Sequence, residues 1–214
     1  MVDLIILSNG KNGSLRQMTQ RCIDSINDER CRIIVIEQTK FKYKNCQTIH
    51  KPEQFNYNAF ANYGAKMGSN EWIMIANNDL IFNSGWLDAL MDYPVVEVMS
   101  PKCLNDKRQR MVLNNAYGYE VGKHLAGWCF MINRKTWEQI GGFDEDFAFW
   151  CADNSLVEQL KAIGVKPIVK PKAIITHLGS TTLATSTNRY ELTRLQVLKF
   201  NKKYNQNLFG LGKE

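Results

Sequence analysis

Trp72-Ile73-Met74-Ile75-Ala76-Asn77-Asn78-Asp79 is the stretch on which the rest of the chain turns. Five apolar residues in a row have the length of a strand buried on both faces, and the run delivers two amides and a carboxylate at its carboxyl end. In open α/β sheets ligands collect at that end of the strands. A carboxylate so placed can hold a divalent cation against a diphosphate, since Mg2+ and Mn2+ take hard oxygen ligands and keep open positions. The competing reading is an Asx-rich turn without a ligand, and these eight residues alone favour it.

Toward the amino terminus the pattern alternates. Val2 to Leu7 is a continuous apolar strand. Ser14 opens a helix, with Gln17 completing a capping box and Leu15, Met18, Cys22 and Ile26 forming its apolar stripe. Arg32 to Glu37 is a second buried strand ending in a carboxylate, and Cys46 to Ile49 is a short third one. Phe55 to Met67 repeats apolar residues every four positions and stops at Gly68. This β-α-β-α-β order, with polar residues at the strand ends, is the pattern of a nucleotide site.

Toward the carboxyl terminus the texture changes. Residues 101 to 124 are polar, with Lys102, Lys107, Arg108 and Arg110, and read as an irregular excursion or hairpin. Ala126 to Ile132 is strand-like, and Thr136 to Ile140 begins a short helix stopped by Gly141-Gly142. Leu156 to Ile163 is helical. Strands follow at Pro167 to Lys170 and Ala173 to Thr176, leading into His177. A last helix spans Asn188 to Tyr204, with Asn188 and Glu191 as its capping box and Leu192, Leu195 and Leu198 as its stripe.

The chain has 214 residues, 44% hydrophobic and 22% charged, which suits one globular domain and excludes disordered or collagen-like classes. No apolar run approaches the roughly 20 residues that span a bilayer. The first seven residues lack a cationic stretch and a small-residue cleavage site, so the expectation is a buried first strand and a cytoplasmic protein. Six cysteines without a C-x-x-C or a Cys/His cluster predict reduced core thiols. Charge is unevenly spread. Residues 1 to 160 hold 17 Lys/Arg and 19 Asp/Glu, whereas 161 to 214 hold 10 and 2, a net +8. Such asymmetry fits either a polyanionic ligand or a solvated basic helix.

Two further clusters carry chemistry. Gly141-Gly142-Phe143-Asp144-Glu145-Asp146-Phe147 precedes Ala152-Asp153, and Asp153 stands ahead of an amphipathic helix as a cap or a general base. His177 follows a strand and can complete a metal site through a neutral imidazole, or be structural.

The order of these elements resembles the GT-A glycosyltransferases, specifically the inverting family-two and rhamnosyltransferase-like group. The likeness runs from Leu4-Ile5-Ile6-Leu7 and Cys22 to Ile26 through Ile33 to Glu37, Asn62 to Ala65 and Trp72 to Asp79. It resumes at Gly127 to Arg134 and Ile140 to Glu145, and closes with Ala152-Asp153, Leu156, Leu160, Gly164, His177 and Gly179-Ser180. The resemblance implies a Rossmann-like nucleotide-diphospho-sugar transferase fold, a three-layer α/β/α domain on a mostly parallel central sheet. It implies a catalytic domain over residues 1–182 and a basic helical extension, 183–214, packed on it.

The resemblance also implies roles. Asp79 matches the last carboxylate of the D-x-D motif and, with His177, would bind Mn2+ or Mg2+. Asp153 matches the base that deprotonates the acceptor. Ser8, Asn9, Glu37, Asn62, Asn77, Asn78, Gly127 and Trp128 fall at donor-contacting or pocket-lining slots, Glu37 beside the nucleoside. The implied donor is a nucleoside-diphosphate sugar, a UDP-sugar first, and the implied acceptor a glycan hydroxyl. The chain departs from the pattern at Asn77, the first D-x-D position, and at Ala152 and Ser155, where acids are usual. Asp146 is the nearest substitute base. Three other readings stay open: transfer to hydroxymethylated bases of DNA, gripped by the basic carboxyl-terminal segment with its aromatic residues; a non-catalytic sugar-nucleotide binder; and, more distantly, a nucleotidyltransferase.

Overall fold

Seven consecutive buried residues, Val2–Ser8 (β1), form the middle of the sheet. Their alternation feeds two cores at once. Leu4 and Ile6 face one apolar cluster, and Ile5 and Leu7 face the other. Such a strand must be covered on both faces, and helices do so here. The computed structural model describes residues 1–148, 150–179 and 189–211, with the side chains of 189–192 left aside.

After β1 come α1 (Gly13–Ile26), β2 (Cys31–Glu37), β3 (Gln47–His50), α2 (Tyr57–Lys66) and β4 (Trp72–Asn77). Then follow β5 (Leu80–Phe82), α3 (Trp86–Leu90), β6 (Val98–Lys102), β7 (Ala116–Tyr117), β8 (Cys129–Asn133) and α4 (Arg134–Gln139). The chain continues through α5 (Ala152–Ala162), β9 (Ile168–His177) and α6 (Arg189–Tyr204). The strand order is β3-β2-β1-β4-β8-β6-β9-β5, with β7 also pairing β9. β3, β2, β1 and β4 are mutually parallel. β8 is antiparallel to both β4 and β6, β9 is parallel to β6, and β5 and β7 are antiparallel to β9, so a mostly parallel sheet is interrupted at β8 and flanked by reversed strands beside β9. Residues of α1 and α3 cover one face; residues of α2, α4 and α5 cover the other.

Several local expectations change. The cap of α1 is Asn12, whose side chain accepts from the Leu15 N–H at 2.9 Å, so the helix starts before Ser14. Residues 98–102 are a sheet strand, β6, which moves the start of the excursion to Cys103. The strands read at 167–170 and 173–176 are the single β9, whose pairing with β6 shifts register after Pro101. α5 begins at Ala152, so Asp153 sits inside its first turn. The cap position belongs to Cys151, which adopts a left-handed φ of 61°. The Asn188–Glu191 capping box, the Leu192 side chain and Ser180 lie outside what is described.

All six cysteines are free thiols, buried or half-buried, and burial pushes those of Cys22 and Cys151 up to about 12. α6 sits on a small third core, where Val197 and Phe200 meet Phe147 and Cys151. Among the described residues no helix is long and apolar enough to cross a membrane.

Candidate active site

A cleft of about 1030 Å3 opens where β1 and β4 end. Ser8 and Asn9 line it from β1, and Asn77, Asn78 and Asp79 line it from β4. Gly127, Trp128, Asp153 and His177 complete its polar wall, so nine of the eleven site residues expected from the sequence meet here. Glu37 and Asn62 do not reach it.

The β5–β9 ladder brings Asp79 and His177 together. Leu80 is paired with His177, and the Leu178 N–H donates to the Asp79 carbonyl at 2.9 Å. His177 Nε2 thereby lies 3.2 Å from Asp79 Oδ1. Both atoms are buried and neither has a hydrogen-bond partner. The imidazole stacks on Trp128, ring centres 5.5 Å apart, and its backbone N–H donates to the Cys103 Sγ. Trp128 Nε1 is a third buried polar atom left without a partner. Among the described residues no cluster of three or more His, Cys, Asp or Glu has the geometry of a metal cage. Two donors, one carboxylate oxygen and one imidazole nitrogen, fit a cation that takes its other ligands from water and from a bound anion.

Asp153 faces the same cleft. Burial raises its carboxyl above the ordinary range, against the opposing pull of the Asn154 and Gly127 N–H groups and the Arg108 charge. Asp153 Oδ1 accepts from the Asn154 N–H at 3.0 Å. A Cβ on Gly127 would come within 2.9 Å of Asp153 Oδ2, so the close approach of that backbone requires glycine. The Tyr57 hydroxyl donates to the Gly127 carbonyl at 2.8 Å and holds the strand end in place.

Glu37 turns inward. Its carboxylate accepts from the Gly10 N–H at 2.9 Å, the Thr39 N–H at 2.7 Å and the Tyr43 hydroxyl at 2.9 Å. Burial works against its charge, but these donors prevail and hold the group below the usual carboxylate range. A relay of short contacts joins it to the cleft floor. Tyr43 lies 2.9 Å from Ser8 Oγ, Ser8 3.1 Å from Thr19 Oγ1, and the Asn78 amide donates to Thr19 at 2.9 Å. Glu37 thus fixes the loop after β1 instead of presenting its carboxylate.

Asn62 is a clip. Its amide oxygen accepts from the Phe143 N–H at 2.8 Å, and its amide nitrogen donates to the Phe143 carbonyl and to Glu145 Oε1, each at 2.9 Å. Gly142, at φ 76°, has no room for a Cβ beside Asn62 Oδ1. Asp146, the substitute base, lies away from the cleft. Lys199 and Lys203 each pair with it at 2.9 Å, and their hydrogen bonds lower it to about 2. Lys203 and the Tyr204 hydroxyl also reach Asp144, at 2.7 and 2.9 Å, so these acids anchor α6.

The sequence did not reveal the remaining walls. Arg108 enters from the excursion, its guanidinium held by both oxygens of Asp106 at 2.9 and 3.1 Å. Phe55, Tyr57, Tyr119 and Trp150 supply aromatic surface, and Val197, Leu208 and Phe209 close the side toward the carboxyl terminus. The buried amide of Asn201 holds that last segment through Leu208 and Leu211. Arg108, Phe55, Tyr119 and Trp150 escape periodicity because loops carry them, while Tyr57 and Val197 sit on helices whose apolar residues read as core.

No protein-family model matches the chain. It is 24% identical over 153 residues to the O-antigen biosynthesis protein RfbC of Myxococcus xanthus, a match covering 58% of this chain and only 12% of that relative. The structure superposes on a mannosyltransferase from Pyrobaculum calidifontis, PcManGT, solved with GDP-Man and Mn2+. The TM-score is 0.63 at 14% identity, covering 96% of this chain and 64% of that one. It also superposes on S. aureus TarS, with a TM-score of 0.65 at 11% identity over 94% of this chain and 39% of that one. The chain therefore spans under two thirds of each of these proteins, and the fold it shares with them is the GT-A fold of glycosyltransferases.

Proposed function

We propose that the chain is a glycosyltransferase that moves a sugar from a nucleoside-diphosphate donor to an acceptor hydroxyl, with inversion at the anomeric carbon. One observation carries the reading: the unsatisfied Asp79–His177 pair and the raised Asp153 carboxyl open onto one cleft in a GT-A fold. Asp79 and His177 would hold Mn2+ or Mg2+, the ion class present in the mannosyltransferase structure. A cation bound there supplies Lewis-acid stabilisation of the charge that gathers on the departing diphosphate. Asp153 takes the acceptor proton, and its raised affinity for a proton makes it a stronger base than an exposed aspartate. The aromatic wall beside Asp153 gives a sugar acceptor an apolar face to rest on.

A glycan is preferred to DNA as acceptor, because much of the basic carboxyl-terminal charge is engaged within the protein. Lys161, Lys172, Lys199 and Lys203 stand in ion pairs, and Lys170 is buried against the Asp92 and Pro94 carbonyls. The test is a thermal-shift panel of UDP-, GDP-, CDP- and dTDP-sugars with and without Mn2+. A donor at 100-fold its Kd adds about 2.7 kcal/mol. One donor should stabilise the chain only with Mn2+, and Asp79→Asn should lose that dependence. Release of nucleoside diphosphate then separates an enzyme from a mere binder. Failure of every donor to shift melting would sink the reading.

A further inference from the structure

The excursion between β6 and β7, residues 103–115, displays apolar side chains in the open. Met111 is 79% exposed, Leu113 78% and Leu104 53%, and Tyr117 follows at 48% in β7. Singly exposed apolar residues are ordinary; here three stand in one loop and a fourth just after it, which concentrates apolar area available to a partner. The loop is not floppy. Gln109 is fully buried; its side chain accepts from the Cys103 N–H at 2.8 Å and donates to the Pro101 and Lys123 carbonyls. Buried Lys102 donates to the Val112 carbonyl at 2.7 Å, and the Val112 side chain points inward. With residues 109 and 112 tied down, Arg110, Met111 and Leu113 are held outward. Docking such a preformed loop costs little ordering entropy.

Its charge selects the partner. Lys107, Arg108 and Arg110 stand against one acid, Asp106, which is already paired with Arg108. A second copy of the chain meeting this face about a twofold axis would set like charges against each other. Anionic headgroups complement the cations, and the apolar side chains suit the headgroup–acyl boundary. We propose that this loop seats the protein on an anionic lipid bilayer. Arg108 belongs to the loop and to the cleft wall, so the docked loop sets the cleft beside the headgroups. The docking does not depend on what the cleft catalyses.

The test is cosedimentation of the full chain with vesicles of phosphatidylcholine alone or mixed equally with phosphatidylglycerol. Binding is expected to the mixed vesicles only and to fall with added salt. Lys107→Gln with Arg110→Gln should weaken it roughly thirtyfold, from about 1 kcal/mol per cation near the surface. Met111→Ser with Leu113→Ser should weaken it at least about tenfold. Lys202→Gln, which removes an exposed cation of α6, should change it little. Unchanged melting of both double variants shows that lost binding is not lost fold. Equal binding by wild type and both double variants overturns the proposal. So does a wild-type dimer that Met111→Ser with Leu113→Ser dissolves, or duplex DNA captured through the same loop in place of vesicles.

Discussion

Two sets of polar residues were expected at the cleft, and carboxylates stand in both. Glu37, Asn62 and Asp146 are engaged by donors and acceptors of the protein itself: main-chain N–H groups and a phenol on Glu37, the Phe143 backbone on Asn62, two ammonium groups on Asp146. Asp79 and His177 keep buried atoms without hydrogen bonds, and Asp153 holds its carboxyl above the normal range beside open space. An unpaired buried polar atom costs on the order of 1–3 kcal/mol, so a fold keeps one where something else supplies the partner. The first set is spent on holding the structure together, whereas the second keeps polar atoms facing the cleft.

The contrast is broken most directly at Asp153. Asp153→Asn should lower transfer about 10²–10⁴-fold while donor binding persists. Its stability should move the other way. A carboxyl raised in the native state contributes stability below its unfolded pKa, and that contribution is lost as pH rises through the native one. The amide carries no such cost, so at neutral pH the variant should melt no lower than wild type. Calorimetry beside a transfer assay checks both halves, and near-normal turnover would remove Asp153 from the role of base.

Glu37→Gln tests the engaged set. It removes the charge that three donors address and leaves them poorly matched, with an expected loss of about 1–3 kcal/mol in denaturant unfolding. The effect on a donor Kd should follow from a loosened Gly10 loop, not from a lost contact. Asn62→Ala removes the Phe143 clip and should cost about 1–2 kcal/mol, with kcat falling more than stability predicts because the chain leading to Asp153 is freed.

The smallest effect belongs to Asp146, since its pairs are exposed and screened. Its pKa is depressed, so its contribution is present above the unfolded value near 4 and is lost as pH falls toward about 2. Melting temperatures of wild type and of Lys199→Gln with Lys203→Gln should differ slightly at neutral pH, less at raised salt, and converge in acid.

Much of the scaffold was legible because β1, β2 and β4 are apolar runs bounded by helical stripes, and parallel strands buried on both faces leave that mark. Asp79, Asp153 and His177 were legible because each stands at a strand end or a helix start. The inward turn of Glu37 was not, since its partners Gly10, Thr39 and Tyr43 lie in loops that no periodicity describes. Asn62 reads as one polar residue on an amphipathic helix, and its partner Phe143 is 81 positions away. β6 hid because Ser100, Pro101 and Lys102 are poor strand formers, yet all three are buried in the sheet.

The clip at Asn62 also orders events in time. A contact spanning 81 positions must close a long loop before it gains anything, and α6 must then reach back 57 positions to grip Asp146 from Lys203. The parallel half of the sheet, β3, β2, β1 and β4, can assemble from the first 77 residues. The segment that aims Asp153 can be pinned only after residues far beyond it have been synthesised. A nascent chain therefore carries Asp79 well before it carries His177, its neighbour at 3.2 Å, so the cleft takes its final shape late.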